Sequence, residues 1–582
     1  MSFDKIWKLK APSTDTHQLA HEAGLTSLQA QLLINRGISD KESARFFLRP
    51  QLTDMADPML MKDMVEATEV IIDALEKREK ITIYGDYDAD GLTATALLLN
   101  FLSCLDISVS FYIPNRLNEG YGLNMGAVEK IARSGTRLII TADCGTANAK
   151  EIEFARGLGM RVVVTDHHQI PGGFQPNCPV INPHRTDCSF PYKDLAGVGL
   201  VFFLAVAIRA SLREKRWFEE RAEPDLRDYL DLVALGTVAD RVPLFGQNRM
   251  LAKSGIMRMA KSRWVGIKAM VEAAGLSGSE ITADDLAFRL APRLNAPGRM
   301  GDPEIALQIL STNQSALAKN IALELEAANN RRQNLERDIL DQIEHMIHTT
   351  DRIGGLRTLV LAGENWHKGV LGIVASRLVD KYHRPSLVLS IQDGMAVGSG
   401  RSIGAFNLYG ALSQLGHLFE KFGGHAHAAG FTLRAEKLDI LKSELEDLAI
   451  DALDERDLIP TIEVDAEVSF KDITFETVQK IRDLAPFGEG NPEPSFCGRS
   501  LEVLGSWIVG ERHLKLRVRQ DGRGFEAIGF EMSDEHPLDG KTINMVFTPD
   551  LNRWQGYESI QLRIIDLEET DQATKIPFPP AR

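Results

Sequence analysis

The stretch "KITIYGDYDADGLTATALL", Lys80–Leu98, sets three carboxylates at every second position between two apolar runs. The run "ITIY" has the length and β-branched content of a buried strand, and "GLTATALLL" is typical of the start of a buried helix. Asp86, Asp88 and Asp90 are therefore held at the end of a strand, where like charges repel one another unless cations offset them. Because hard divalent ions prefer carboxylate oxygens, the stretch predicts a metal site.

A calcium-binding EF-hand loop and a solvated surface turn both fit this acidic segment less well. An EF-hand loop needs a bidentate Glu at its twelfth position and a helix on each side. Here the twelfth position is Leu97, and a strand comes before the segment. Three solvated aspartates in a surface turn are the commoner origin of an acidic run. The apolar runs on both sides instead place these carboxylates at the edge of a sheet.

Two further apolar runs also end in acidic residues, "RLIITAD" at 137–143 and "RVVVTD" at 161–166. Helical patterns separate the runs, and this alternation predicts an α/β domain with a mainly parallel sheet. In open parallel sheets, ligands bind beyond the carboxyl ends of the strands. We therefore expect Asp143 and Asp166 to lie beside the first three aspartates.

Two adjacent histidines, His167 and His168, follow Asp166 directly in "TDHHQ". Imidazole together with carboxylate suits manganese, iron or zinc as well as magnesium. The apolar run "LVALGTVADRVPL" adds Asp240, for which a buried ion pair with Arg241 is the alternative. Two metal ions about 3.5 to 4 Å apart would stabilise both the attacking and the leaving oxygen of an in-line attack on phosphorus. The number of candidate ligands fits two ions better than one.

The length of the chain, 582 residues, is enough for about three or four domains. We expect an N-terminal arm on the next domain at residues 1–60, a catalytic domain at 61–310 and a connecting helix at 311–350. A second α/β domain at 351–455, a small barrel at 456–570 and a tail at 571–582 should follow. The net charge of -15 argues against broad nonspecific binding of nucleic acid. A local basic surface can still coexist with that charge.

The start of the chain, "MSFDKIWKLKAP", lacks the apolar stretch of a signal peptide. The sequence contains no run of about 18 uncharged apolar residues, which is the length needed to cross a bilayer. The five cysteines are scattered and form no C-x-x-C pair, which fits reduced thiols. We expect a cytoplasmic protein without membrane association.

Apolar residues recur at helical spacing between Ser315 and Thr349 without Pro or Gly. This pattern predicts one long helix of roughly 50 Å that joins two domains. The second α/β domain then carries two glycine-rich motifs, "GSGRS" and "FGGHAHAAG". Their glycines lie beside Arg401 and His425, a combination that can cradle a phosphate, although such loops are often only turns.

From about residue 456, short strands and turns predict a small β-barrel of the OB type. In "HLKLRVRQDGRG", Lys515, Arg517 and Arg519 alternate with apolar residues, so one strand face is basic. Residues two apart on a strand are separated by roughly 6.6 Å, close to the phosphate spacing of an extended single strand. A solvated outer face is the alternative. Other basic and aromatic residues of this unit are Arg512, Arg523, Arg553, Trp507, Trp554 and Tyr557.

The motifs "DYDADG", "ADCG", "TDHH" and "GTVADRVPL", followed by "GGHAHAAG", resemble those of the DHH phosphoesterases in content and order. The likeness continues through "PNRLNEGYGL", "DLAGVGLVFFLA", "PRLNAPGRM", "WHKGVLGIVASRL", "GSGRSI" and "VGERHLKL". The chain is most similar to the branch of this family that digests single-stranded DNA from the 5′ end in bacteria. The resemblance covers nearly the whole sequence.

The resemblance implies two manganese or magnesium ions, with Asp143 between them and a water of lowered pKa as the nucleophile. It implies that His168 faces the scissile phosphate and that Asp166 orients its neighbours. The metal ligands that it implies are Asp88, Asp90, Asp143, His167 and Asp240, with Asp86 as a ligand or near neighbour. The substrate-binding residues are His168, Asn295, Arg299, Ser399, Arg401, Gly424 and His425, with Lys515, Arg517 and Arg519 on the barrel. "NAPGR" departs from the family pattern at Pro297.

The function implied is a 5′→3′ exonuclease for single-stranded DNA that releases mononucleotides in DNA repair and recombination. It would act as a monomer, with a helicase and a single-strand-binding protein as candidate partners. One alternative is a phosphodiesterase for short oligoribonucleotides or cyclic dinucleotides, although such relatives generally end before a barrel. Another is a catalytically dead scaffold, although such relatives have lost metal carboxylates that this chain retains.

Overall fold

The computed structural model describes residues 5–116, 118–174, 176–350, 355–554 and 557–570. The tail expected at 571–582 and the side chains of Arg553 and Trp554 lie outside the described part. The chain forms two compact units. One comprises Gln51–Leu458, and the other combines Met1–Pro50 with Ile459–Arg582.

The N-terminal segment belongs with the C-terminal barrel. Its first strand pairs in parallel with residues 461–464, so that Ile6 faces Thr461. The Asn35 side-chain amide donates to the backbone and side-chain oxygens of Asp465, both at 3.0 Å. The expectation of an arm on the next domain was wrong, because the partner of so short a strand cannot be inferred from its local pattern. The elements are β1 (Ile6–Leu9), α1 (Thr16–Ala23), α2 (Ser27–Ile34) and α3 (Lys41–Leu48).

A five-stranded parallel sheet forms the centre of the larger unit, in the order β3-β2-β4-β5-β6. The chain leaves β2 towards one edge and returns to its other side at β4, so the strand order reverses between β2 and β4. Crevices at such reversals are the usual ligand sites of open α/β sheets. The elements are α4 (Met64–Glu76), β2 (Ile81–Gly85), α5 (Ala89–Ser103), β3 (Val109–Tyr112), α6 (Met125–Arg133), β4 (Leu138–Ala142), α7 (Ala149–Gly157), β5 (Arg161–Thr165) and β6 (Val180–Ile181).

A helical layer follows, and its buried faces share one hydrophobic core with α4, α5 and the inner strands. The long helix predicted from the apolar spacing is present as α15. Within the described ranges, no helix is both long and apolar enough to span a membrane. The elements are α8 (Gly197–Glu214), α9 (Leu230–Ala239), α10 (Gly246–Met259), α11 (Val265–Ala273), α12 (Ala283–Asp285), α13 (Ala291–Met300), α14 (Glu304–Ser311) and α15 (Ser315–Thr350).

The second α/β domain has a mixed sheet in the order β10-β11-β9-β8-β7. Only β7 and β8 are parallel, and the other pairs are antiparallel. Its elements are β7 (Leu359–Glu364), α16 (Leu371–Tyr382), β8 (Ser386–Gln392), β9 (Met395–Arg401), α17 (Leu408–Gln414), β10 (Phe419–His425), β11 (Ala428–Arg434) and α18 (Leu438–Ala452).

The C-terminal strands form the predicted barrel. Five strands pair in the order β14-β15-β16-β18-β17, and β17 pairs again with β14 to close the ring. The elements are β12 (Thr461–Val464), β13 (Ala466–Glu467), α19 (Phe475–Arg482), β14 (Phe496–Val509), β15 (His513–Gln520), β16 (Arg523–Gly529), β17 (Thr542–Trp554) and β18 (Tyr557–Glu569).

Candidate functional site

The acidic residues converge where the strand order of the parallel sheet reverses. Strands β2, β4 and β5 end at Gly85, Ala142 and Thr165, and the three acidic motifs follow these ends directly. Asp240 reaches the same place as the residue that follows helix α9. The carboxyl ends of parallel strands meet at one edge, so residues far apart in sequence become neighbours.

The site contains three overlapping groups of residues, and within each group the ligand atoms lie within 4.8 Å of one another. The Nε2 atom of His167 lies 3.1 Å from Oδ1 of Asp143 and 3.5 Å from Oδ2 of Asp240. Two ligands that share an ion at about 2.0 to 2.2 Å are themselves about 3 to 3.5 Å apart, so this spacing suits a common ion. The groups are Asp86 with Asp88 and Asp143, Asp90 with His167 and Asp240, and Asp143 with His167 and His168.

Four of these atoms are buried and have no hydrogen-bond partner among the described residues. They are Oδ1 of Asp86, Oδ1 of Asp143, Nε2 of His167 and Oδ2 of Asp240. Buried polar atoms are normally satisfied, and an ion is a common reason for an apparent exception. The donor set of carboxylate and imidazole therefore fits a divalent metal.

The electrostatics of the cluster also favour a bound cation. Burial raises the pKa of Asp143, and the charges of Asp90 and Asp88 raise it further. Burial and Asp90 raise the pKa of Asp240 to about 8. Burial opposes a charge on His167, but Asp240 and Asp90 outweigh it and raise its pKa. A divalent ion would relieve the repulsion among these carboxylates.

Helix N-termini hold two of the aspartates in place. Oδ1 of Asp88 accepts from the backbone N–H groups of Asp90 and Gly91, both at 3.0 Å, and so caps helix α5. The carboxylate of Asp90 accepts from the N–H groups of Gly197 at 2.6 Å and Val198 at 2.8 Å, the first residues of helix α8. The partial positive charge of these helix ends stabilises the carboxylates where they lie.

His168 is oriented by its neighbours. Its Nδ1 lies 2.8 Å from Oδ1 of Asp166, whose other oxygen accepts from the hydroxyl and the N–H of Thr146. Burial opposes a charge on His168, but the hydrogen bond with Asp166 raises its pKa to about 9. The Tyr121 hydroxyl lies 3.0 Å from the same Nδ1 and 3.2 Å from the carbonyl oxygen of Asp143. Since Nδ1 donates to Asp166, the Tyr121 hydroxyl donates to that carbonyl.

A cluster of arginines lies between the two α/β domains of the larger unit, in addition to the acidic cluster. Burial, Arg116 and Arg332 together lower the pKa of Arg299 to about 10. Burial and Arg116 also lower the pKa of Arg401. An anion would relieve the repulsion between these arginines, and a phosphate accepts several such donors.

Arg116 and Tyr121 are two candidate functional residues that the sequence patterns do not single out. Both lie in the loop between β3 and α6, where neither helical nor strand periodicity applies. Their one signal in the sequence is the motif "PNRLNEGYGL", which contains both residues and belongs to the family resemblance.

The glycine-rich motifs of the second domain lie side by side on its sheet. Arg401 on β9 pairs with Ala428 on β11, which in turn faces His425 on β10. Ser399 lies within 3.3 Å of the Arg401 guanidinium. Gly424 has φ +149°, and a Cβ there would clash with the carbonyl oxygen of Ala428, so this position near the end of β10 requires glycine.

Asn295 lies close to the metal-binding loop rather than among the arginines. Its side-chain oxygen accepts from the backbone N–H of Ala89 at 2.7 Å. Arg299, one turn further along helix α13, donates to the carbonyl oxygen of Gly369 at 3.3 Å. The helix thus contacts both the first turn of helix α5 and the second domain.

The basic face predicted on the barrel is present on β15, where Leu514, Leu516 and Val518 are buried and the basic residues point outward. These cations are largely paired, which the sequence pattern could not show. Arg519 donates two hydrogen bonds to Glu502, at 3.0 and 2.6 Å. Lys515 lies 2.9 Å from Glu526 and Arg517 3.8 Å from it. The Arg517 guanidinium also lies 5.8 Å from the centre of the half-exposed Trp507 ring.

Three known domains match the chain in the order of its architecture. The N-terminal domain of the DHH family matches residues 80–237, the DHHA1 domain matches 355–451 and the RecJ OB domain matches 464–566. The single-stranded-DNA-specific exonuclease RecJ of Bacillus subtilis is 38% identical over 96% of this chain and 70% of its own. RecJ of Dickeya dadantii is 38% identical over 93% of this chain and 96% of its own. The chain belongs to the RecJ family.

Solved structures of the RecJ family agree with this architecture. RecJ of Thermus thermophilus in complex with Mn²⁺ has a TM-score of 0.83, with 30% identity over 97% of this chain and 79% of its own. An exonuclease RecJ bound to manganese has a TM-score of 0.59, with 35% identity over 70% of this chain and 98% of its own. The family resemblance and the predicted fold class are confirmed, and the predicted metals are those found in RecJ crystals.

Proposed function

We propose that this chain is a metal-dependent exonuclease that digests single-stranded DNA from its 5′ end and releases 5′-mononucleotides. The observation that carries the proposal is the set of buried carboxylate and imidazole atoms without hydrogen-bond partners, among the described residues, at the sheet's reversal point. In a chain of the RecJ family, such a set is suited to manganese or magnesium.

The ligand groups divide naturally between two ions. Asp86, Asp88 and Asp143 would hold one ion, and Asp90, His167 and Asp240 the other. Oδ1 of Asp143 is within reach of both, since it also lies 3.1 Å from His167. When bound, divalent ions lower the pKa of water and offset the charge that develops on a phosphate undergoing attack.

His168 would bind and protonate the substrate. Its raised pKa keeps it protonated at neutral pH. Because Nδ1 donates to Asp166, Nε2 is the atom that can donate to a phosphate oxygen or to the leaving oxygen.

The arginines between the two α/β domains would bind the backbone of the strand. Arg116 lies close enough to Arg299 and Arg401 to lower the pKa of both, and the hydroxyl of Ser399 lies beside Arg401. Gly424 and His425 border the same end of the second sheet. On the barrel, Arg517 and Trp507 would contact the strand by charge and by stacking.

The cellular context is proposed on the same basis. We place the protein in the cytoplasm as a monomer acting in DNA repair and recombination. A helicase would supply its substrate, and a single-strand-binding protein would coat that substrate.

Digestion of end-labelled DNA tests the proposal. With Mn²⁺, a 5′-labelled single strand should lose its label as mononucleotide while a blunt duplex of the same sequence persists. A strand blocked at its 5′ end should resist digestion, and a strand blocked at its 3′ end should not. Equal digestion of duplex and single strand would overturn the proposal.

Two comparisons separate the alternative functions. Faster turnover of dinucleotides or cyclic dinucleotides than of long DNA would favour a small-substrate phosphodiesterase. An inactive scaffold predicts no metal-dependent digestion at all. If Asp143→Ala retained the nuclease rate of the unaltered chain, the metal centre described here would not be the active site.

A further inference from the structure

Helix α13 lies directly against the metal-binding loop. The side-chain oxygen of Asn295 accepts from the Ala89 N–H at 2.7 Å. One turn later, a Cβ on Gly298 would lie 3.0 Å from the carbonyl oxygen of Tyr87. The helix therefore contacts the backbone between the metal-binding carboxylates at two points.

The Asn295 contact completes the N-terminus of helix α5. The first N–H groups of a helix have no partner inside it. Asp88 satisfies the N–H groups of Asp90 and Gly91. The N–H of Ala89 is the remaining one in this first turn, and Asn295 satisfies it. Ala89 is 1% exposed, so water cannot readily replace Asn295 without a shift of the loop.

The C-terminal end of helix α13 is anchored elsewhere. Arg299 donates to the carbonyl oxygen of Gly369, and a Cβ on Gly369 would clash with the carbonyl oxygen of Arg299. The carbonyl oxygen of Gly301, just after the helix, accepts from the side-chain amide of Asn115 at 2.7 Å. These contacts fix the position of the helix independently of the metal-binding loop.

We propose that Asn295 is a positioning residue of the metal centre, whose side-chain oxygen holds Ala89 and thereby sets the spacing of Asp88 and Asp90. This inference rests on the metal centre of the proposed function. It gives Asn295 a different role from the substrate contact that the family resemblance implies. Partners that orient metal ligands in this way typically change metal affinity about 10- to 100-fold when removed.

Titration of Mn²⁺ into the metal-free full chain by calorimetry tests the proposal without any DNA. Asn295→Ala should weaken Mn²⁺ binding at least about tenfold. Asn295→Asp keeps an acceptor for the Ala89 N–H and should bind Mn²⁺ more tightly than Asn295→Ala. Arg293→Ala is the matched control on the same helix, because Arg293 pairs with Glu326 of α15 and not with the loop. It should bind Mn²⁺ as the unaltered chain does.

Steady-state digestion of a single strand separates positioning from substrate contact. For Asn295→Ala, saturating Mn²⁺ should restore most of kcat while KM for the strand stays unchanged. A raised KM with unchanged Mn²⁺ affinity would overturn the proposal in favour of a substrate contact. Equal Mn²⁺ affinities for the Asp and Ala variants would also overturn it. If the unaltered chain binds no Mn²⁺, the proposed function itself fails, which is a distinct result.

Discussion

Gly197 lies so close to Asp143 that a Cβ on Gly197 would be 2.7 Å from both the Cβ and Oδ1 of Asp143. The same glycine donates its N–H to Asp90 at 2.6 Å. The first residue of helix α8 is therefore in contact with carboxylates from both candidate ion sites. Any side chain at this position must displace one of them.

We expect Gly197→Ala to weaken Mn²⁺ binding by about tenfold or more, because the added methyl group pushes the Asp143 carboxylate out of place. Gly199→Ala is a close control, since its Cβ would meet only Leu195, Leu251 and Asn248 at 3.7 Å or more. Calorimetric Mn²⁺ titrations of both variants provide the measurement. Equal affinities for the two variants would show that the close approach to Asp143 has no role in binding the ion.

Removal of one negative charge should stabilise the metal-free protein. Burial, Asp90 and Asp88 all raise the pKa of Asp143, so its charged form destabilises the fold above the ordinary carboxyl pKa. Asn suits the left-handed backbone of this position, where φ is +66°. In EDTA at about pH 8, Asp143→Asn should raise Tm by on the order of 2 °C or more.

The sign of this effect should change with the metal and its size with pH. Saturating Mn²⁺ stabilises only the protein that binds it, so the unaltered chain should then have the higher Tm. In EDTA, the advantage of Asp143→Asn should shrink as pH falls, because protonation neutralises the carboxylate of the unaltered chain. A lower Tm for Asp143→Asn in EDTA at both pH values would contradict the electrostatic account.

The sequence predicted the centre of the site because each acidic motif lies next to the strand that positions it. An acidic motif directly follows each of β2, β4 and β5 in the sequence, and the parallel sheet brings the carboxyl ends of these strands together. The proximity of Asp143 and His167 thus follows from the fold class alone. The alternation along β15 likewise predicted which of its residues are buried.

What the sequence did not predict depends on partners far away in the chain. The Ile6 strand pairs with Thr461, and nothing near residue 6 specifies this pairing. The sequence pattern placed Arg519 on a basic strand face, but the register of β14 and β15 puts Glu502 opposite it. Arg116 lies in an irregular loop, so its proximity to Arg299 became apparent only from the folded chain.

His168 should stabilise the metal-free fold in a pH-dependent way. Its pKa rises from 6.5 to about 9, so its contribution is complete below pH 6.5 and is lost as pH rises through about 9. The Tm difference between the unaltered chain and His168→Ala, measured in EDTA, should fall over this window. His184→Ala is the control, because burial lowers the pKa of His184. Its Tm difference from the unaltered chain should not fall over this window. A Tm difference for His168→Ala that stays constant across the window would contradict the ion pair with Asp166.

The two arginines of β15 should contribute unequally to DNA binding. Arg519 already donates two hydrogen bonds to Glu502, whereas Arg517 lies 3.8 Å from Glu526 and over the Trp507 ring. Binding of a phosphate by Arg519 must first break its pair with Glu502, and this cost offsets much of the gain. Arg517→Ala should therefore flatten the slope of log K against log salt by about 0.7, and Arg519→Ala by clearly less.

Fluorescence anisotropy with a labelled oligothymidylate in EDTA measures both slopes. Lys541→Ala, which removes a pair with Glu569 elsewhere on the barrel, should leave the slope unchanged. Equal slopes for the two arginine variants would mean that Glu502 does not hold Arg519 in solution.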